Sequence, residues 1–130
     1  MPQTAIEVQN HGMALRGTMY TPAVRHRVPT VLLLHGFTGS RTETGFLFVR
    51  LARRLNDAGI AAVTFDFRGS GESDGSFDQM LVSGELSDAL RMYEWVQGQP
   101  FVDRSQFCRL GFSLGGLLAA CVSARVQHVA

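Results

Sequence analysis

Lysine is absent from the sequence: all 12 basic residues are arginine, against 11 acidic residues, and the formal net charge is +1. A Walker-type phosphate loop needs a lysine, as does an enzyme that forms a Schiff base with its substrate, so both classes are excluded. A net charge this close to zero also argues against nucleic acid or an anionic membrane surface. We therefore expect no nucleic-acid partner and no membrane partner.

Cysteine is scarce, and long apolar runs are missing. Cys108 and Cys121 lie in apolar stretches, and we predict that both are buried thiols rather than a disulfide or a metal pair. No apolar run approaches the length of a membrane span, and the first residues lack the charged-then-apolar pattern that predicts a secretory leader. The prediction is one globular domain over residues 1–130, cytoplasmic, with no metal and no cofactor.

Apolar and amphipathic stretches alternate along the first half of the chain. Weak alternation over residues 4–8 and 13–20 predicts an antiparallel hairpin. Continuous apolar runs at 30–34 and 60–65 predict two strands that are buried on both faces. Between them, residues 48–57 carry apolar side chains at helical spacing, which predicts an amphipathic helix.

The second half continues the same alternation. A helix is predicted to begin near Ser83, with Glu85 and Asp88 in its first turns, where acidic side chains are favourable. A mostly buried strand is predicted at 106–110 and an apolar helix over 117–122. Strands that alternate with helices predict an α/β fold with a doubly wound, mostly parallel sheet that follows the antiparallel hairpin.

Residues 111–116 fit the pattern G-x-S-x-G and lie between the predicted strand and helix. Strand, tight turn and helix are the context of a nucleophile elbow, in which the serine hydroxyl stands exposed. Gly111 and Gly115 would remove the Cβ atoms that would otherwise collide at such a turn. Ser113 is therefore the candidate nucleophile; the alternative is an ordinary serine in a glycine-rich turn.

A second glycine-rich loop, residues 35–40, follows the first buried strand. Loops after parallel strands lie at one edge of the sheet, so this loop and the serine turn can share a site. Acyl transfer needs N–H donors for an oxyanion, and we predict the backbone N–H groups of Leu114 and Phe37. His35 and Gly36 are predicted to shape the loop, and His35 is not assigned as the catalytic base.

A third loop, residues 66–74, contains a near match to a dinucleotide-binding fingerprint. Its third glycine is missing and a polar loop stands where a helix should start, so the motif is rejected. Asp66 and Arg68 are interpreted as a brace for the loop, through ion pairs or hydrogen bonds, rather than as catalytic groups.

Together, the segments 35–40, 66–73 and 111–116 resemble the α/β-hydrolase superfamily in sequence, order and spacing. Within it they are most similar to cinnamoyl and feruloyl esterases and related bacterial serine esterases. The resemblance implies a serine esterase that forms an acyl-enzyme on Ser113 and acts on a small-molecule ester. It also implies Phe37 and Leu114 as the oxyanion hole.

The sequence departs from that superfamily after Ser113. The triad order is Ser, then Asp or Glu, then His, but no carboxylate follows Ser113 and the single histidine there, His128, is not assigned as the base. We therefore expect an N-terminal part of a hydrolase that is inactive or weak alone. An apolar sheet edge would then be exposed, which predicts possible self-association.

Three alternatives stay open at this stage, of which a cofactorless haloperoxidase-like activity is implied by the resemblance alone and has no separate sequence signature. The second is another hydrolytic activity, that of an acylpeptide-type peptidase or a thioesterase. The third is a non-catalytic module that holds a small ligand in the pocket of a hydrolase fold.

Overall fold

The computed structural model describes residues 3–126, and within that range five strands form one sheet. The strands are β1 (Gln3–Asn10), β2 (Met13–Tyr20), β3 (Val28–Leu34), β4 (Ala61–Phe65) and β5 (Val102–Gly111). Their order across the sheet is β1-β2-β4-β3-β5. β3 runs parallel to both β4 and β5, whereas β2 pairs antiparallel with β1 and with β4.

Helices cover both faces of this sheet. They are α1 (Leu47–Asp57), α2 (Val82–Gln97) and α3 (Leu114–Arg125), with short 3-10 turns at Thr44–Phe46 and Phe77–Gln79. α1 packs on one face against a core that includes Val31 and Leu33. α2 and α3 pack on the other face, where the core includes Leu32 and Leu34. The predicted doubly wound α/β fold with an antiparallel hairpin is confirmed.

The first half of the chain folds as its sequence pattern predicts. Every residue of β4 is buried, as expected of a strand covered on both faces. In α1 the apolar positions Phe48 and Ala52 are buried against the sheet, while Arg50 and Arg53 are exposed. The helix is followed by Gly59 with φ 81°, a left-handed conformation that glycine adopts without steric cost.

The predicted burial of β5 is wrong. This strand forms the edge of the described sheet, with β3 as its neighbour, and most of its residues are exposed or half-buried. Cys108 is exposed, Cys121 is half-buried and Leu110 is 41% exposed, so neither cysteine is the buried thiol that we predicted. Apolar composition indicates a strand but does not reveal how many neighbours it has. Self-association through this edge stays a prediction.

The two acidic residues near the start of α2 are buried rather than set out toward solvent. Asp88 accepts hydrogen bonds from Arg68, through Nε at 3.0 Å and Nη2 at 2.8 Å, and from the Asn10 side chain at 2.8 Å. Glu85 is only 3% exposed, and burial together with the nearby Asp88 charge raises its pKa to about 7. Both carboxylates therefore belong to the packing of α2 on the sheet.

Candidate active site

Ser113 stands in a sharp turn between β5, which ends at Gly111, and α3, which begins at Leu114. Its backbone has φ 57° and ψ −121°, a combination that L-residues rarely adopt and that surrounding contacts must hold in place. The side chain is exposed and makes no capping hydrogen bond to the helix. The predicted strand, turn and helix around this serine are all present.

Close backbone contacts hold this turn, and they require glycine at two positions. A Cβ atom on Gly111 would lie 2.1 Å from the carbonyl carbon and oxygen of Gly115. A Cβ on Gly115 would lie 2.0 Å from the carbonyl oxygen of Leu34, at the end of β3. Because these obstacles are backbone atoms, they cannot move aside as a side chain would. The turn is thus pressed directly against the neighbouring strand.

The loop after β3 reaches the serine turn. A Cβ on Gly36 would lie 3.0 Å from the Phe112 carbonyl oxygen and 3.2 Å from the Ser113 Cβ. The N–H of Gly39 donates to the carbonyl of Gly36 at 3.1 Å, which closes a tight turn around Phe37. Two of the three predicted loops therefore meet at one place.

The backbone N–H groups of Phe37 and Leu114 have no acceptor within the described part of the chain. Leu114 is the first residue of α3, so its N–H is one of those a helix leaves unpaired, at the positive end of the helix dipole. The Phe37 ring is 55% exposed and packs against Phe77, with ring centroids 5.5 Å apart.

Both ring nitrogens of His35 bond to the backbone. The N–H of Phe67 donates to Nε2 at 3.1 Å, so Nε2 carries no proton, and Nδ1 donates to the carbonyl of Gly36 at 2.9 Å. The ring is 2% exposed, and burial lowers the pKa of His35 below its ordinary value. A neutral ring with both nitrogens in use can hold the loop but is not available to take a proton from Ser113.

The other described histidines are also remote from Ser113 in the topology. His26 lies in the connector that precedes β3. It is therefore at the amino end of that strand, whereas Ser113 follows the carboxyl end of the parallel strand β5. His11 lies in the turn between β1 and β2, and β4 and β3 separate β2 from β5. His128 lies outside the described residues. Neither of these two histidines is therefore placed to act as a base for Ser113.

A buried carboxylate that the sequence did not single out supports the loop after β3. Glu43 is 8% exposed, and its side chain accepts hydrogen bonds from the N–H of Gly36 at 2.6 Å and of Thr44 at 3.1 Å. Its own backbone has φ 60°, which is unusual for a residue with a side chain. The sequence did not predict this role, because a loop residue follows no helical or strand periodicity. Nothing in the pattern indicates that Glu43 folds back to contact Gly36.

Asp66 links the same loop to the one after β4. Its buried carboxylate accepts the N–H of Arg41 at 2.7 Å and the N–H of Glu72 at 3.0 Å, and it pairs with the Arg41 side chain. Arg41 also pairs with the carboxylate of Glu72. Asp66 and Arg68 do act as braces, as the sequence suggested, but Arg41, the main partner of Asp66, was not foreseen.

The described range contains neither a cluster of metal-ligating side chains nor a helix suited to a membrane. No group of three or more His, Cys, Asp or Glu side chains in residues 3–126 is placed to hold a metal ion. None of the helices there is both long enough and apolar enough to cross a bilayer. The expectations of no cofactor, no nucleic-acid partner and a cytoplasmic location stay predictions.

The fold and this arrangement define a class of protein. The chain belongs to the family described as alpha/beta hydrolase fold, whose model matches residues 29–130. This confirms the resemblance that we inferred from the three glycine-rich segments.

Two proteins with similar sequences show how much of a longer chain this sequence matches. The uncharacterized 31.7 kDa protein of the traX-finO intergenic region of Escherichia coli is 32% identical over 120 residues, which cover 92% of this chain and 40% of that protein. The lysophosphatidylserine lipase ABHD12 of Danio rerio is 38% identical over 78 residues, 60% of this chain and 19% of the lipase.

Among solved structures, Est1E from Butyrivibrio proteoclasticus with ferulic acid bound superposes with a TM-score of 0.85 at 27% identity. The match covers 93% of this chain and 47% of Est1E. The chain therefore spans less than half the length of the relatives that it matches.

Proposed function

We propose that Ser113 is the nucleophile of a serine hydrolase that cleaves carboxylic esters through an acyl-enzyme. The Oγ atom would attack the ester carbonyl, the alcohol would leave with a proton, and water would release the acid. The N–H groups of Phe37 and Leu114 would bind the oxyanion that forms on the carbonyl oxygen. One such donor contributes about 3–4 kcal/mol to transition-state stabilisation where it has been measured.

The observation that carries the proposal is the strained backbone of Ser113, at φ 57°, together with the N–H groups of Leu114, the next residue, and of Phe37, in the loop that reaches the serine turn; neither has an acceptor among residues 3–126. Strain of this kind persists only where surrounding structure enforces it, and it concentrates at functional sites. The contact of Gly115 with Leu34 provides that enforcement. Family membership and the esterase and lipase relatives support the same chemistry.

The catalytic base has to come from outside residues 3–126. His35 is neutral and bonded through both ring nitrogens, and the other described histidines lie elsewhere in the topology. A serine without its base is a weak nucleophile. An oxyanion hole alone leaves roughly 10³–10⁴-fold acceleration over water in serine proteases that lack triad members, so we expect slow hydrolysis from this chain alone.

The test compares the chain with Ser113→Ala, using p-nitrophenyl acetate and a fluorophosphonate probe followed by intact-mass analysis. We expect slow covalent labelling, seen as one added probe mass, that is lost in Ser113→Ala; the slow ester cleavage that an oxyanion hole alone supports is expected to persist in that variant. Ser105→Ala is the matched control, because Ser105 is also exposed but lies within β5, away from the turn. A wild-type chain that takes up no probe, or an added probe mass that is as abundant in Ser113→Ala as in the wild-type chain, would contradict the proposal.

A comparison of three substrate classes tests the carboxylic-ester assignment. The same acyl group is presented as an ester, a thioester and a peptide. Faster Ser113-dependent turnover of the thioester or the peptide would replace the esterase assignment with the corresponding alternative.

A further inference from the structure

An open cavity of about 580 Å³ lies on the α1 side of the sheet, and Ser113 is not among its lining residues. It is formed by β2, the segment after the Phe37 loop and the first half of α1. The charged side chains that line it are Arg41, Arg50 and Arg53. None of the described residues that line it is acidic.

The three arginines differ in how far they are neutralised. Arg41 pairs with Asp66 and Glu72. Arg50 and Arg53 have no carboxylate within 4.0 Å among residues 3–126. Two guanidinium groups at one cavity are thus left with positive charge and free donors.

Other groups at the cavity suit an anion as well. Tyr20 is 5% exposed; burial raises the pKa of its phenol, while the charges of Arg53 and Arg41 act to lower it, which indicates that both guanidinium groups are near. The hydroxyl can therefore donate a hydrogen bond. The first turn of α1 contains no acidic side chain, so its dipole is not offset there.

An apolar surface borders the charged one. The Phe46 ring lines the cavity and is 65% exposed, and Val49 lies beside it. An exposed aromatic ring next to arginines favours a ligand that has both an anionic group and an apolar part.

We propose that this cavity binds a phosphate monoester, with the phosphate at Arg50 and Arg53 and the organic part on Phe46. Guanidinium groups bind phosphate with two parallel hydrogen bonds, and a phosphate carries more charge and more acceptor oxygens than a carboxylate. The site is independent of Ser113 and does not rest on the proposed hydrolase activity.

Calorimetric titration of the chain with phenyl phosphate tests the site. We expect binding that Arg50→Gln/Arg53→Gln weakens about tenfold or more, because hydrogen bonds to charged groups are lost. Arg54→Gln is the control, and Arg53→Gln alone is its matched partner: each removes one positive charge from adjacent positions of α1, but Arg54 does not line the cavity. We expect Arg54→Gln to change the affinity less than about twofold, since exposed charges are screened by salt.

Further arms define the ligand class. Phe46→Ala should weaken binding of phenyl phosphate but not of inorganic phosphate. Benzoate should bind more weakly than phenyl phosphate. Vesicles of phosphatidylcholine with phosphatidic acid decide the source of the phosphate: vesicle binding that is lost in the double variant assigns a lipid headgroup, and phenyl phosphate binding without vesicle binding assigns a soluble ester.

Three results would overturn the proposal: no binding of phenyl phosphate, equal weakening by Arg54→Gln and by the double variant, or benzoate that binds as tightly as phenyl phosphate. Thermal unfolding followed by circular dichroism checks that each variant is folded. If the double variant does not fold, Arg53→Gln alone is compared with Arg54→Gln.

Discussion

The centre of the sheet and its β5 edge contribute equally to the candidate site but are covered very differently. All of β4 is buried and β3 nearly so, whereas most of β5 is exposed or half-buried. β3 provides the loop with the N–H of Phe37, and β5 provides Ser113. The difference indicates that the serine turn is held by backbone contact with the end of β3 rather than by burial of its own strand.

Replacing Gly115 with alanine should have the largest effect. The new Cβ would stand 2.0 Å from the Leu34 carbonyl oxygen, so either the turn or β3 has to move. We expect a loss of about 4 kcal/mol or more in the free energy of unfolding, measured in urea. Gly116→Ala is the control, because its nearest neighbour, the Gly111 oxygen, is at 3.4 Å. Similar losses in both variants would show that backbone contact does not hold the turn.

The second-largest effect is expected for a leucine at the centre of the sheet, which should contribute more to the free energy of unfolding than a leucine at its β5 edge. Leu33 in β3 is fully buried, and we expect Leu33→Ala to destabilise the fold by about 3 kcal/mol through lost burial and a cavity. Leu110 in β5 is 41% exposed, and Leu110→Ala should cost less than about 1 kcal/mol. Urea unfolding of the two variants measures both values. Equal losses would mean that the edge is as well packed as the centre.

In α2, which packs on the sheet, the buried side chain of Glu85 should make the free energy of unfolding depend on pH. Its pKa is about 7 in the fold against 4.5 as the reference value, so the folded chain holds this proton more tightly. The stabilisation is complete below the reference value and is lost as pH rises through about 7. We expect stability to fall on the order of 2–3 kcal/mol across this range.

Glu85→Gln should flatten that pH profile, measured by thermal unfolding at a series of pH values. Glu94→Gln is the control, since Glu94 is an exposed glutamate on the same helix. A profile that keeps its slope in Glu85→Gln would assign the pH dependence to other groups.

The smallest effect on stability is expected for Cys108, the cysteine of the edge strand β5. Cys108 is exposed and Cys121 is half-buried, so we expect iodoacetamide to alkylate Cys108 first in the folded chain. Peptide mass mapping over time measures the two rates. Cys108→Ser should remove the fast phase and change stability by less than about 0.5 kcal/mol. Faster reaction at Cys121 would show that β5 is covered in solution.

Much of the fold could be predicted because its signals are local. The buried run before His35, the helical spacing from Phe48 onward and the glycines around Ser113 each specify one element without reference to the rest of the chain. The meeting of the loops could also be predicted, since parallel strands end at one edge of a sheet.

The misses share a physical cause: they depend on neighbours that are distant in sequence. Cys108 was expected in the core because apolar composition does not count neighbouring strands. Glu85 and Asp88 were expected to favour the first turns of the helix, and their burial was not foreseen; Asp88 is held inside by Arg68 and Asn10. Glu43 became visible as a support of the loop only through its contact with Gly36.

The imidazole of His35 offers a spectroscopic reporter for the candidate site. Its Nδ1 proton is buried and held by the Gly36 carbonyl, so its exchange with water should be slow enough for a resolved proton signal in nuclear magnetic resonance. With only four histidines in the chain, assignment is simple. Because Gly36 contacts the serine turn, a shift of this single resonance would report any change in the loop during the proposed acylation of Ser113, without a label near that side chain.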